Sequence, residues 1–184
     1  MDALTALHSR VSVPRLSEPA PSRHALHNIY RAALRAADHA LLHPWRFLII
    51  EGASLQRLGD LFLAASLNDE PELPLEKQHS IRSKALRAPL IIIAITSPKP
   101  HPKVPEIEQE YSTAASVQNM LNAAHAQGVG AIWRTGPMAV HPMVLKGLGL
   151  STGEKITGFL YLGQISNPPR PAQELPVDDY FSRW

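Results

Sequence analysis

Residues 90–96 read LIIIAIT, an almost purely aliphatic run without polar alternation. Such a run predicts a β-strand that is covered by other elements on both faces. Outward from it, further strands are predicted at 45–51, 131–133 and 156–162. Amphipathic spacing predicts helices at 2–9, 22–36, 54–67, 76–86, 108–127 and 142–148. Four strands interspersed with five or six helices predict one α+β domain over residues 1–184, in which helices flank a central mixed β-sheet.

The helix predicted for residues 108–127 is the clearest in the chain. Val117 and Leu121 contribute to its apolar face, and Gly128 supplies a C-terminal stop. Residues 168–176 contain four prolines, and proline cannot pair regularly within a central strand. Residues 167–184 are therefore expected to form an extended C-terminal arm that lies over a surface.

The composition excludes several classes of protein. The chain has no Cys, which excludes disulfides, thiolate zinc sites and Cys nucleophiles. Eighteen Lys and Arg face sixteen Asp and Glu without long runs of one sign, so no nucleic-acid partner is expected. The longest apolar run, 89–95, is far shorter than the ~20 residues that span a bilayer, and the first residues lack a signal-peptide pattern. We expect a cytoplasmic protein without a membrane partner.

Two familiar kinds of site lack support in the sequence. The pairs His24 with His27 and His39 with His43 come without a third ligand of recognised spacing, so no metal site is expected. Gly128-Val129-Gly130 follows a helix and precedes a strand, which is the opposite order to that of a dinucleotide-binding fingerprint. A Rossmann-type nucleotide site is therefore not expected either.

Three arginines stand where a phosphate group could be bound. Arg10 precedes Ser12 just past a helix end, Arg35 lies in the last turn of its predicted helix, and Arg134 ends a strand. The guanidinium fork suits phosphate because it donates several N–H groups in one plane. Each arginine also has an ordinary structural interpretation, as a cation at a helix C-terminus or at a strand end. Taken singly, these residues leave both interpretations open.

The order of the motifs carries more information than any one of them. They are Arg10-x-Ser12, Arg35-Ala36-Ala37-Asp38-His39 before Pro44-Trp45-x-Phe47, Gln118-Asn119-Met120 before Gly128-Val129-Gly130, and Trp133-Arg134-Thr135-Gly136. In this order they resemble the nitroreductase family along essentially the whole chain. Met1-Asp2-Ala3-Leu4, Lys103-Val104-Pro105 and the segment 158–163 resemble its compact YdjA-type branch of NAD(P)H nitroreductases.

This resemblance implies a nitroreductase-like sandwich that forms an intertwined homodimer with FMN at the subunit interface. The implied FMN contacts are Arg10, Val11, Ser12, Arg35, His39, Trp133, Arg134 and Thr135, with Arg35 and His39 coming from the other subunit. Val11 stands where the family usually has a second Arg, which leaves that position a backbone contact at most. The implied NAD(P)H region is Ala123, Ala124, His125, Ala126, Gln127 and Gly128.

The resemblance also implies the reaction. An FMN-dependent oxidoreductase would transfer hydride from NADH or NADPH through flavin N5 to a nitroaromatic, a quinone or a similar flat acceptor in a ping-pong cycle. No protein side chain is assigned as catalytic, because FMN carries the chemistry. Two alternatives stay open: a flavin-binding or flavin-storage dimer without turnover, and a structural dimer in which the arginines only cap helices and strands.

Overall fold

The computed structural model describes all 184 residues and contains six α-helices and five β-strands. The helices are α1 (Ala3–Ser9), α2 (Arg23–Ala33), α3 (Ala53–Asp69), α4 (Leu75–Ser83), α5 (Glu106–Ala126) and α6 (Pro142–Gly147). The strands are β1 (Leu16–Ser17), β2 (Trp45–Glu51), β3 (Leu90–Thr96), β4 (Gly130–Arg134) and β5 (Lys155–Ile165). Short 3-10 turns lie at His39–Leu41, Lys84–Leu86, Pro137–Ala139 and Val177–Asp179.

β3 lies inside the sheet and is covered on both faces, as its aliphatic sequence predicts. Its residues are at most 1% exposed. Ile91, Ile93 and Ile95 pack into a core cluster with α3 and α6, through residues such as Phe62 and Val144. Leu90, Ile92 and Ala94 pack into the opposite cluster, with residues of α2 and α5 such as Ile29 and Val117. The two helical layers therefore meet on opposite faces of one strand, and the α+β sandwich is confirmed.

The sheet differs from the expectation in one respect: every pairing is antiparallel, so it is not mixed. β3 pairs with β2 on one side and with β5 on the other, and β5 also pairs with β4 and with β1. The reason is visible between β2 and β3, where α3 and α4 pack against each other as a pair. Two helices take the chain away from one end of the sheet and back to it, so the next strand runs in the opposite direction. A single crossover helix would have given parallel neighbours.

The predicted helix around residues 108–127 is confirmed as α5, the longest helix of the chain. Gly128 follows it with a φ of +73°, a conformation that glycine adopts without steric cost. Asn119 Nδ2 on α5 donates to Ala32 O on α2 at 3.2 Å, so these two helices are joined by a polar contact as well as by their apolar faces. None of the helices combines the length and the apolar character that crossing a membrane would require.

The segment from residue 166 onwards has no regular structure apart from the 3-10 turn Val177–Asp179. Its side chains are exposed, including Leu175, Tyr180 and Phe181. The domain organisation expected from the sequence, one domain with an extended arm over residues 167–184, stays a prediction.

Candidate functional site

The Arg10–Ser12 segment follows α1 and lies beside β4. Arg10 leaves α1 with extended φ and ψ of −61° and 128°, so the chain stops turning there. Ser9 Oγ lies 2.9 Å from His125 Nε2 near the end of α5. Val13 N donates to Ala131 O on β4 at 2.9 Å. Contacts on both sides therefore hold this segment beside the strand that carries Trp133 and Arg134.

The end of β4 is fixed by close packing against β5. Trp133 Nε1 donates to Thr157 O at 3.2 Å, and its indole lies directly over Gly158. A Cβ at Gly158 would lie 1.9 Å from Trp133 Nε1, so only glycine leaves room for the indole here. The guanidinium carbon of Arg134 is 5.9 Å from the centre of the Tyr161 ring. The Trp133 and Arg134 side chains are thus held by their neighbours on β5.

Trp133, Arg134 and Thr135 line a pocket of about 410 Å³, which Lys84 and Arg87 also line. Its walls include the aromatic rings of Phe62, Phe159 and Tyr161, and no carboxylate lines it. Burial raises the pKa of the Tyr161 hydroxyl, and the nearby Arg134 and Arg87 act in the opposite direction. Three cations and aromatic walls without an acid suit a flat ligand that carries negative charge. We call this the aromatic pocket.

A second pocket, of about 430 Å³, is lined by Ser12, Arg15, Asn167 and Arg170. It too has two arginines and no carboxylate. A hydroxyl, an amide and two guanidinium groups are donors that phosphate accepts from. We call this the Ser12 pocket. Ser12 therefore lies among donors of this kind, whereas Arg10 does not line this pocket, and the contact of both with a phosphate stays a prediction.

Arg10 and Arg134 have unpaired buried nitrogens. Arg10 Nη1 and Arg134 Nε are buried and have no hydrogen-bond partner, and no other buried side-chain nitrogen or oxygen shares this state. A buried guanidinium N–H without an acceptor is costly, so natural structures keep few of them without a reason. Both belong to the residues that the sequence assigns to phosphate. A bound anion would supply the missing acceptors, and the residues present therefore fit such a group.

Arg35 and His39 lie apart from these pockets. Both are exposed, in the segment between α2 and β2, and neither lines the aromatic pocket or the Ser12 pocket of its own chain. His39 Nδ1 lies 2.6 Å from Glu108 Oε2 in the first turn of α5. The structure therefore does not bring Arg35 and His39 together with the other predicted contacts within one chain, and their role stays a prediction.

The predicted NAD(P)H region, Ala123 to Gly128, forms the last turn of α5 and its cap. Ala124 is fully buried in the core. Gln127 Oε1 accepts from Asn28 Nδ2 at 2.9 Å, and Gln127 Nε2 donates to Ala123 O at 2.8 Å. His125 contacts Ser9. Much of this region thus packs α5 against α1 and α2, and a nicotinamide contact here stays a prediction.

The sequence interpretation missed Lys84, Arg87 and Arg170 as site residues. Lys84 belongs to a 3-10 turn, Arg87 follows it, and Arg170 lies in the proline-rich segment. None of them has a local motif, and only the tertiary structure puts them beside Arg134 or Ser12. No group of three His, Cys, Asp or Glu side chains is arranged to hold a metal ion.

Comparison with known proteins gives a consistent result. The model of the nitroreductase family matches residues 7–164. A protein of Escherichia coli K12, named "Putative NAD(P)H nitroreductase YdjA", is 42% identical over 167 residues, which cover 89% of this chain and 88% of that protein.

Two solved structures have the same fold. A nitroreductase-like family protein from Bacillus cereus superimposes with a TM-score of 0.84 at 21% identity, over 100% of this chain and 96% of that one. A nitroreductase with bound FMN from Bacteroides fragilis superimposes with a TM-score of 0.74 at 18% identity, over 100% of this chain and 99% of that one.

Proposed function

Because the chain belongs to the nitroreductase family, we propose that it is an FMN-dependent enzyme that oxidises NAD(P)H and reduces a flat acceptor such as a nitroaromatic or a quinone. The reaction class, that of an oxidoreductase, comes with the family itself. The acceptor and the ping-pong order of the cycle are the finer parts of the proposal. When bound, FMN supplies the hydride chemistry between donor and acceptor.

The observation that carries the proposal is the pair of unpaired guanidinium nitrogens on Arg10 and Arg134. Two further observations support it. The Bacteroides fragilis relative holds FMN, and the Escherichia coli relative is named for NAD(P)H. A phosphate of FMN would give the two arginines acceptors for charge-assisted hydrogen bonds, which are stronger than neutral ones.

The protein side chains would divide the work of binding FMN. Arg10 and Ser12 would donate to the phosphate, and Val11 would offer its backbone N–H. Arg134, which lines the same pocket as Trp133, would donate to an anion there. Thr135 lines the same aromatic pocket, where its hydroxyl would donate to a polar edge of the ring.

The cations of the aromatic pocket would favour negative charge on a bound ring. Lys84, Arg87 and Arg134 line it without an opposing carboxylate, so their charges are not neutralised within the pocket. Fixed charges that are already in place stabilise a developing anion without reorganisation. On this proposal, Lys84, Arg87 and Arg134 would together stabilise the negative charge of the reduced ring.

The proposal includes a homodimer in the cytoplasm. Arg35 and His39 do not line the pockets of their own chain, so they would act at FMN only as residues contributed by the second subunit. The same proposal gives the dimer a small-molecule acceptor and either NADH or NADPH as the electron donor. It includes no nucleic-acid partner and no membrane partner.

The test is the visible spectrum of the purified protein, followed by addition of NADH or NADPH without oxygen. We expect absorption bands of oxidised flavin that bleach on addition of the reduced nicotinamide. Bands that persist would indicate a flavin-binding protein without turnover. A protein that stays colourless after reconstitution with FMN would contradict the proposal and leave only a structural role.

A further inference from the structure

The loop between α2 and β2 has an unusual backbone. φ is +61° at Ala40, +54° at Leu41 and +49° at His43, and none of these residues is glycine or asparagine. The left-handed region is disfavoured for such side chains and persists only where the surroundings impose it. Conformations of this kind cluster at functional sites, so an observed cluster is a reason to look for a function.

Three hydrogen bonds fix the two ends of this loop. Asp38 Oδ2 accepts from His43 N at 2.6 Å, which closes the loop on itself. At its exit, Pro44 O accepts from Ser97 N at 2.8 Å and from Thr113 Oγ1 at 3.2 Å. The backbone of the loop is therefore held without help from the His39 side chain.

His39 is oriented by one further contact. Its Nδ1 lies 2.6 Å from Glu108 Oε2, and Nε2 has no partner within the chain. A carboxylate can only accept a hydrogen bond, so Nδ1 must carry the proton that it donates. When one ring nitrogen of a neutral histidine donates in this way, the other nitrogen carries no proton and can accept a hydrogen bond.

We propose that Glu108 is a positioning residue for His39. By accepting the Nδ1–H hydrogen bond, it orients the ring and holds the neutral form of the imidazole in the tautomer whose Nε2 accepts an N–H of the flavin ring. This inference rests on the proposed function, because it takes FMN as the ligand that His39 meets. It goes further in naming the residue that sets the orientation and tautomer of His39.

A purely structural role for Glu108 fits the structure less well. The pair is open to solvent, with side-chain exposures of 56% for His39 and 42% for Glu108, and polar pairs this exposed contribute little to stability. The loop already has its own contacts at Asp38 and Pro44. The neighbouring acids Glu106 and Glu110 pair with Lys155 instead. Glu108 alone among these three acids faces the loop.

The first measurement is the tautomer of His39 by ¹⁵N NMR of histidine-labelled protein, with the signal assigned through His39→Ala. We expect the Nδ1–H form in the wild type and in Glu108→Gln, because the Gln oxygen still accepts the hydrogen bond. In Glu108→Ala we expect a shift toward the Nε2–H form. Glu106→Gln is the matched control and should leave the signal unchanged.

The second measurement is FMN affinity, by titration of the apoprotein. Glu108→Ala and His39→Ala should each weaken binding by about tenfold, the loss expected for one hydrogen bond. The double variant should bind no worse than either single variant, because Glu108 acts through His39. Glu108→Gln should bind nearly as well as the wild type. The Tm of each variant should stay within about 2–4 °C of the wild type.

Four results would overturn the inference. An unchanged His39 tautomer in Glu108→Ala would show that the carboxylate does not hold the ring. Losses of FMN affinity that add in the double variant would show that the two residues act independently. A wild type that binds FMN, with an affinity that Glu108→Ala does not change, would reject the positioning role but keep the proposed function. A wild type that binds no FMN would reject both.

Discussion

At the scale of single residues, Arg10 and Arg134 stand out because each has a buried nitrogen without an acceptor. Arg10 follows the end of a helix, and Arg134 ends a strand. Arg134 also lies near the face of Tyr161, which holds its guanidinium against an aromatic surface. On the proposed function, the phosphate of FMN would supply the acceptors that these two nitrogens lack.

Replacing both arginines, in Arg10→Ala/Arg134→Ala, should abolish retention of FMN while the fold persists. Each lost charge-assisted hydrogen bond costs about 1.5–3 kcal/mol, so the double variant should bind FMN at least about 100-fold more weakly. The measurements are flavin content after purification and the Kd for added FMN. Arg23→Ala/Lys77→Ala removes two exposed cations outside both pockets and should have no effect. A yellow double variant with unchanged affinity would refute the phosphate assignment.

A second residue pair should contribute to the free energy of unfolding at neutral pH and lose this contribution in acid. Arg46 Nε and Nη2 each lie 2.6 Å from an oxygen of Glu154, in a bidentate pair that joins β2 to the loop before β5. The hydrogen bond from Arg46 lowers the pKa of Glu154 from 4.5 to about 2, against the opposing effect of burial. A pKa that is lowered in the folded state stabilises the protein above the unfolded pKa.

Glu154→Gln should therefore lower the free energy of unfolding at pH 7 by about 1–2 kcal/mol, because solvent at the partly exposed Arg46 side chain screens the pair. The difference from the wild type should shrink as the pH falls from about 4.5 toward 2, because Glu154 then becomes protonated in both states. Urea unfolding at several pH values measures it. Glu110→Gln, which removes an exposed partner of Lys155, is the control and should cost less than about 1 kcal/mol. A difference that is independent of pH would contradict the assignment.

At the scale of elements, we expect the backbone strain in the loop between α2 and β2 to lower the free energy of unfolding while the rigid loop favours FMN binding. Ala40 has a φ of +61°, and glycine adopts this conformation without strain. Ala40→Gly should raise the free energy of unfolding by about 0.5–1 kcal/mol and weaken FMN binding, because the loop becomes less rigid. Denaturant midpoints and FMN titration measure the two effects. Ala53→Gly, at the exposed start of α3, should lower stability instead, and a parallel loss in Ala40→Gly would show that its backbone is not strained.

The sequence predicts some elements well and others poorly, for physical reasons. β3 and α5 are predicted because each carries a long apolar pattern of its own. β1 was not predicted, because its two residues, Leu16 and Ser17, are too few to show an alternation of apolar and polar side chains. The direction of strand pairing was also wrong, since it depends on how α3 and α4 pack together rather than on the strands.

The residues of the candidate site, like the strands and helices, could be proposed from the sequence only where they belong to a local pattern. Arg10, Ser12 and Arg134 belong to motifs that can be recognised in order along the chain. Lys84 and Arg170 are isolated cations in a turn and in a proline-rich segment, with no pattern around them. They become site residues only when the fold puts them beside Arg134 and Ser12.

At the scale of the whole molecule, the segment after residue 166 should contribute to association rather than to the core. Its large apolar side chains are exposed, among them Leu175 at 54%, Tyr180 at 67% and Phe181 at 75%. Apolar groups gathered on a surface are typical of interaction sites. Truncation after Glu174 keeps Arg170 in the Ser12 pocket. It should leave the Tm of the isolated subunit unchanged and weaken the proposed dimer.

Sedimentation at a series of concentrations measures that weakening, and circular dichroism checks the fold. The full-length protein with Arg183→Ala is the control, because it changes the segment without removing an apolar group. An unchanged dimer would show that the segment lies outside the interface. A truncated protein that unfolds would show that it belongs to the core.

β5 is the strand on which the other pairings depend, and its position in the chain has a consequence for biosynthesis. β1 and β4 pair with no other strand, and β3 finds its second partner only there. Translation proceeds from the N-terminus, so the nascent chain has no complete sheet until residue 165 has left the ribosome. Until then the aliphatic edge of β3 is open to the wrong partners. We therefore expect the sheet to close only once β5 is available, and β3 to be prone to wrong pairing before then.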